Sequence, residues 1–520
     1  MLQSRHEPSK QPPPTDSTHG VTEPSSPPAA QAAGRRVLAN VVALGGSNLW
    51  RIGVSFALQL LIARLLGIQA LAAYAVALAY LNVSQVLSEL GLPALLVRDL
   101  APAPQHRRAY FWAALGLQLA ASLLVWAGLA ALAYALPYAA TTRTAIWLIG
   151  ASLPFYAVTS ACQTLFRAAE RMELLMAVET AINLLILALS VAALLSGATV
   201  AHLVAILVIT QAVSALVCAA VVMRTGLLAA PQEPVAIRLT ELGRDAAPFL
   251  GLSIADVLLQ RVDILLLSVV GGETITGLYS AAYNLVRVLV KLVQSFWQAA
   301  YPTLSRLRRQ ARNRYALLSA LSLRYGLLLL LPAAALCTGV AGEVMGWLYA
   351  TDYAAAAPAL QRLVWVAPLF FVEMYTVTLL MIEERPQRGL AVMALNLGAL
   401  VLLLPPFTHR GGAGGAAWAA LLAVGVAALA GLAVLRRQSI RAPFTKIGLA
   451  AIAAAIAGLL ATLLPAAWAL RLAAGAAAYL SLAWATGAIA PADVGSFAKH
   501  CAVMRMQFGR SGRVRYNNHL

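Results

Sequence analysis

Apolar residues run along this chain in blocks of 18 to 26, separated by short polar and basic segments. Blocks of roughly 20 apolar residues are long enough to cross a bilayer as helices. Fourteen spans are predicted, at 41–65, 71–95, 109–134, 145–166, 173–196, 199–223, 246–269, 275–300, 316–338, 357–381, 389–406, 413–435, 446–465 and 469–489. Residues 1–40 are rich in Pro, Ser, Gln and Thr and read as a disordered tail with no apolar core of a cleaved leader.

Several spans carry polar stripes at helical spacing. The eighth has Asn284, Arg287, Lys291, Gln294 and Gln298, spaced 3 and 4 apart. At about 100° per residue these fall in one narrow arc. The seventh has Ser253, Asp256, Gln260 and Asp263; the first has Asn48, Arg51, Ser55 and Gln59; the second has Asn82, Gln85 and Glu89. Lipid cannot solvate such groups, so the stripes are expected to face protein or a wet cavity. The predicted cavity residues are Arg51, Gln59, Asn82, Glu89, Asp256, Gln260, Asp263, Asn284, Arg287, Lys291 and Gln294. Hydrogen bonds that hold a bundle together would account equally for any single amide or hydroxyl among them. Arg261 lies roughly 120° from the seventh-span stripe and is expected to pack against another helix or reach the interface. Arg51 and Asp256 are expected to face each other across the cavity. Glu179 and Asn183 in the fifth span, Gln211 in the sixth and Glu373 in the tenth are more scattered. Glu89, Asp256, Asp263 and Glu179 are candidates to bind a coupling H⁺ or Na⁺; no other cofactor and no metal site is expected.

The stripes repeat. An offset of 205 places Gly67 on Gly272, Tyr74 on Tyr279, Arg51 on Asp256 and Asn82 on Arg287. Six spans separate the copies, so both share one orientation, the plan of a transporter with its site between two parallel repeats. The predicted fold is an all-α polytopic membrane protein with two six-helix lobes, 41–223 and 246–436. A linker at 224–245 joins them, 437–489 forms two appended helices, and 490–520 is a basic tail.

Composition supports the membrane reading. The chain is 520 residues long, 61% hydrophobic and 11% charged, with a mean hydropathy of +0.77. Its net charge of +18 would suit nucleic acid, but the basic residues sit in short loops. Alternate loops carry 26 Lys and Arg, against only Arg143, Arg410 and Arg471 on the other side. That asymmetry predicts both termini in the cytoplasm and no nucleic-acid partner. The four cysteines are scattered, with no ligand spacing.

The segment from "GGSNLWRIGVSFALQLLIARLLG" to "LGLPALLVRDLA" resembles the opening of the polysaccharide-biosynthesis (Wzx-type O-antigen) flippases. "QRVDILLLSVVGGETITGLYSAAYNLVRVLVKLVQSFWQAAYPTLSRL" is similar to their second-lobe signature. These proteins belong to the multidrug/oligosaccharidyl-lipid/polysaccharide (MOP) exporter superfamily, and the resemblance spans roughly residues 40–490. It implies a V-shaped pair of lobes that alternates between inward-open and outward-open states in the bacterial inner membrane. The implied cargo is an oligosaccharide on a polyprenyl pyrophosphate, held by a cationic cavity while its tail stays in membrane lipid. A polysaccharide polymerase and glycosyltransferases are the implied neighbours. By the same resemblance Arg51 lies near a helix-one cavity arginine of the related lipid II flippases and Arg287 in the corresponding region of the eighth helix. Position 58, where those flippases have a further charge, is Leu58 here.

A cation-coupled multidrug antiporter of the same superfamily is the alternative. A membrane glycosyltransferase or polymerase is a third class. It would need a catalytic cluster on a sizeable loop, and the chain has no D-x-D, H-E-x-x-H, G-x-S-x-G or Walker motif. The chain is therefore expected not to be an enzyme.

Overall fold

The structure is a computed structural model that describes residues 28–229, 238–436, 444–465 and 467–487; side chains are described from Ile52 onward, those of Pro104, Arg436 and Phe444 excepted. Among the described residues it is all helix, with no strand. In chain order the helices are α1 (Pro28–Glu89), α2 (Leu92–Leu100), α3 (Arg107–Ala135), α4 (Ala140–Gly150), α5 (Leu153–Ala168), α6 (Met172–Leu195), α7 (Val200–Thr225) and α8 (Leu239–Val270). They continue as α9 (Gly272–Gln310), α10 (Arg312–Gly339), α11 (Ala341–Tyr349), α12 (Ala357–Leu363), α13 (Val366–Ile382), α14 (Pro386–Arg436), α15 (Phe444–Leu463) and α16 (Trp468–Ala485).

The predicted spans fall on helices of the structure, the second, fourth and tenth each on two of them, and the boundaries differ for local reasons. The first two spans merge into α1, which bends at Gly67 (φ 84°, ψ −173°), and spans eleven and twelve merge into α14, which bends at Gly412 (φ 54°, ψ −138°). A side chain would oppose these backbone angles; glycine permits them without interrupting the helix by more than one residue. The fourth span is broken instead, with α4 and α5 meeting at 41°. Pro154, at the start of α5, has no N–H to continue the earlier ladder. α1 also begins at Pro28, inside the predicted 1–40 tail, because Ala, Gln and Arg after that proline favour helix. The rest of that tail, the 490–520 tail and residues 230–237 of the linker lie outside the described residues.

By length and composition alone, eight helices among the described residues could cross a membrane, or nine if the bent α4–α5 pair is one span. This is fewer than fourteen partly because merged pairs count once. In addition, α8 and α9 fall out because of the polar and charged residues that make them interesting.

Contacts between helix ends respect the sidedness read from the loops. Arg471 pairs with Glu343, Thr142 donates to Glu273, and the Arg64 guanidinium donates to the Trp347 and Leu348 carbonyls at the end of α11. All of these lie at ends predicted to be outside. Arg308 meets Glu383 at 3.2 Å and Glu384 at 3.0 Å, and Arg107 donates to the Ala168 carbonyl at 3.1 Å, all at ends predicted to be inside. The last carbonyls of a helix are unpaired acceptors at the negative end of its dipole, which suits Arg64.

The repeat also has a structural counterpart. Gly67 and Gly272 both take positive φ, at 84° and 74°, and Tyr74 and Tyr279 are both buried. α9 buries Val286, Val290, Val293, Trp297 and Leu304 along one face, beside its polar stripe. Trp297 anchors this face, with ring centroids 5.1 Å from Phe371 and 5.6 Å from Tyr375 on α13. Trp297→Ala is expected to destabilise the protein by about 3–5 kcal/mol, the usual range for emptying a large aromatic site. A drop in the thermal midpoint of detergent-solubilised protein would register it, and an unchanged midpoint would contradict this packing. The predicted appended helices, α15 and α16, pack on α10; Tyr479 donates to the Leu328 carbonyl at 2.7 Å.

Candidate functional site

Two chambers meet at α8. The first, of about 430 Å³, lies between α1, α5 and α8. Its walls carry Asn82 and Gln85 from α1, Tyr156 from α5, and Ser253, Asp256, Gln260 and Arg261 from α8. The second, of about 320 Å³, lies between α8, α9, α13 and α14. Its polar lining is Asp256, Gln260, Asp263, Tyr279, Tyr283, Lys291, Gln294, Gln298, Glu373 and Asn396. Asp256 and Gln260 belong to both.

A chain of hydrogen bonds runs along the shared wall. Gln260 Nε2 donates to Asp256 Oδ2 at 2.8 Å. Lys291 Nζ donates to Gln260 Oε1 at 2.8 Å and to Gln294 Oε1 at 2.9 Å. The i, i+4 spacing on α8 brings Asp256 and Gln260 together, and the α8–α9 contact brings Lys291 to them. Deeper in the second chamber, Asn396 Nδ2 donates to Glu373 Oε2 at 2.9 Å; both residues are buried.

Asp263 is buried and committed. It accepts from Tyr279 Oη at 3.1 Å and from the Ile264 N–H at 2.8 Å. Tyr279 stacks on Tyr283 with centroids 5.8 Å apart, and the Arg287 guanidinium sits 5.3 Å from the Tyr283 ring centre. A cation over an aromatic face is attracted by the ring quadrupole.

On the other side of the first chamber, Glu89 accepts from Tyr156 Oη at 2.7 Å and Ser160 Oγ at 2.9 Å. Glu89 thus holds Tyr156, which is the residue in the wall. Gln211 Nε2 donates to Thr159 Oγ1 at 3.0 Å beneath it.

The predicted residues therefore separate into groups. Asn82, Asp256, Gln260, Asp263, Lys291 and Gln294 do line chambers. Gln59 is buried and donates to Ser55 Oγ at 3.0 Å, as a structural hydrogen bond along its own helix. Asn284 is buried beside Tyr349, and Arg287 lies over Tyr283; neither is in a chamber wall. Glu179 is half-buried on α6, where its backbone carbonyl accepts from Asn183 at 2.7 Å. Arg51 and its expected meeting with Asp256 lie outside the described side chains.

Arg261, which the sequence places against another helix or at the interface, is in the wall of the first chamber. α8 borders two chambers on adjoining sides, so its polar arc is wider than one stripe, and a long guanidinium side chain extends it further. Tyr156, Glu373 and Asn396 also reach chamber walls although the predicted cavity set omits them. Only Glu373, a charge within an apolar run, gave a sequence signal.

The chambers sit between two layers of close contact. At the Gly67 end, Tyr138 Oη and Ser268 Oγ are 2.8 Å apart, and a Cβ on Gly277 would lie 2.4 Å from the Ile68 carbonyl oxygen. At the other end, a Cβ on Gly91 would lie 2.4 Å from the Leu250 nitrogen, and Arg98 lies 5.5 Å from the Phe249 ring centre.

This fold is shared with solved transporters. A lipid II flippase, MurJ, in an inward closed conformation aligns with a TM-score of 0.60 at 12% identity, over 85% of this chain and 98% of that one. An inward-facing multidrug resistance MATE family transporter of the MOP superfamily aligns at 0.63 and 14% identity, over 75% and 94%. A MOP superfamily transporter from Pyrococcus furiosus, described as having a binding pocket of reverse polarity, aligns at 0.53 and 14% identity, over 77% and 95%. No curated protein sequence matches the chain. Residues 37–308, just over half of the 520, match the family described as polysaccharide biosynthesis protein. The chain belongs to that family.

Proposed function

We propose that this protein is a flippase that carries a polyprenyl-pyrophosphate-linked oligosaccharide across the bacterial cytoplasmic membrane by alternating access. The observation that carries this reading is the first chamber. Three carboxamides, a phenol and a hydroxyl line it, with one carboxylate and one guanidinium. Amides and hydroxyls pair with sugar hydroxyls, and a guanidinium pairs with phosphate. The enclosing contacts at both ends suit a headgroup chamber that opens to one side at a time. In this reading fourteen spans form two six-helix lobes and an appended pair, with both termini cytoplasmic. Glycosyltransferases would supply the cargo and a polymerase would consume it.

Deleting the gene in its own host is expected to abolish the surface polysaccharide and to leave its lipid-linked precursor on the cytoplasmic leaflet. Normal surface polymer in the deletion strain would overturn the reading.

The acids of the second chamber, Asp256, Asp263 and Glu373, favour a second reading as an H⁺- or Na⁺-coupled multidrug antiporter. Expression in a host lacking its own drug pumps would then raise drug resistance, with no effect on surface polymer.

A further inference from the structure

Asp256 and Gln260 line both chambers. One turn apart on α8, they lie about 40° from each other around its axis. Their neighbours divide in order around the helix. Ser253, Val257 and Arg261 line only the first chamber, on one side of this pair; Leu259 and Asp263 line only the second, on the other side. The chambers therefore meet along the Asp256 and Gln260 side chains, with no helix backbone between them there. Gln260 closes this seam because it is held from both sides. Its Nε2 donates to Asp256 Oδ2 at 2.8 Å, and its Oε1 accepts from Lys291 Nζ on α9 at 2.8 Å. A carboxylate only accepts and an ammonium only donates, so the carboxamide fits in one orientation. The gap between Asp256 and Lys291 thus takes any group that donates on one side and accepts on the other. Two adjacent ring hydroxyls of a sugar meet that condition.

We propose that Gln260 is a side-chain partition between two sugar subsites, and that it swings aside so that an oligosaccharide lies across both chambers. This rests on the flippase reading and deepens it: the length of the glycan becomes a property the protein selects, with Gln260 as the specificity-determining residue. The exchange is nearly even. When the half-buried Gln260 side chain leaves, a sugar hydroxyl donates to Asp256 and its neighbour accepts from Lys291, so neither charge is left without a hydrogen bond. Size points the same way. At about 430 and 320 Å³, each chamber is toward the low end of small-molecule sites, which run to about 1,000 Å³, and only the two together offer room for several rings. The second chamber also has the lining a pyranose needs. Gln294 and Gln298 continue the amide row along α9, and Phe370, Met374 and Met393 supply apolar surface. A pyranose presents polar groups at its rim and C–H groups on its faces, so it can use both.

The test uses the full chain in phosphatidylcholine nanodiscs, titrated with farnesyl diphosphate carrying either a single glucose or a linear glucose trisaccharide. The quantity read is the preference, the ratio of the two affinities, because a loss of folding or of helix packing weakens both probes alike and leaves it unmoved. Wild type is expected to prefer the trisaccharide about tenfold, through the added hydrogen bonds of the second chamber. Gln260→Ala should raise that preference about fivefold or more, since no side-chain hydrogen bonds are broken to open the seam. Gln260→Trp should fill the seam and remove the preference while the single-glucose probe binds as to wild type. Equal affinity of wild type for the two probes, or binding of neither, would overturn the pair of subsites. A preference unmoved by Gln260→Ala would overturn the partition, as would Gln260→Trp weakening both probes in proportion. Movement of the trisaccharide probe across reconstituted vesicles is read separately. Its absence with the binding pattern intact overturns the flippase reading and leaves the two-chamber glycan site standing; its presence with an unmoved preference does the reverse.

Discussion

Replacing Gly91 by alanine is expected to reduce transport at least tenfold while the protein still reaches the membrane. Gly91 holds φ 75°, where an L side chain costs roughly 1–2 kcal/mol. Its added Cβ would also meet backbone, 2.4 Å from the Leu250 nitrogen and 2.6 Å from the Ala246 oxygen on α8. Backbone atoms inside a helix cannot swing aside as a side chain can. The clash exists only where α2 and α8 touch, so the substitution penalises conformations closed at this end. A bias of about 3 kcal/mol shifts the ratio of two states more than a hundredfold. Transport should fall at least tenfold, and a cysteine placed at Ser253 in the chamber wall should become more reactive from the Gly91 side. Wild-type transport with unchanged labelling would show that this contact does not gate the chamber. Gly277→Ala is the mirror experiment, since its Cβ would press on the Ile68 carbonyl oxygen and favour opening at the Gly67 end.

Lys291→Ala should also reduce transport at least tenfold, for an electrostatic reason. Lys291 is the cation in the lining of the second chamber, which also holds Asp256, Asp263 and Glu373. Its ammonium orders both Gln260 and Gln294. Removing it leaves two amide oxygens without their donor and Asp256 without this positive neighbour. Breaking a buried charge arrangement from one side typically costs about 3–5 kcal/mol. Lys291→Arg keeps the charge but not the compact ammonium, so partial transport is expected. Normal transport by Lys291→Ala at wild-type membrane levels would remove this residue from the working machinery.

Much of the helical plan was legible in the order of residues, because a bilayer-length apolar run has few other structures available to it. The positions of the helices, their alternating sidedness and the kinship of Gly67 with Gly272 all follow from such runs and the charges between them. The stripe on α9 was legible as polar, but not where each member would point. Lys291 and Gln294 reach the second chamber, whereas Asn284 and Arg287 are taken up by tyrosines beside it. Helical periodicity gives an angle around one axis; it does not say which neighbour occupies that angle. Gln59 shows the same limit, since an amide on the right face satisfied itself within its own helix.

The chain's apolar periodicity and basic loops determined an all-helical membrane protein, its repeat, and α8 and α9 as helices that carry polar and charged stripes. These are local or additive properties: hydrophobic length, charge count, spacing along one helix. What only the tertiary structure decided is the division of the polar groups into two chambers and the placing of Asp256 and Gln260 in both. It also decided that Arg261 turns into the first chamber and that Glu373 meets Asn396 in the second. Those depend on how helices remote in sequence pack, and a buried polar group takes whichever partner that packing brings within reach.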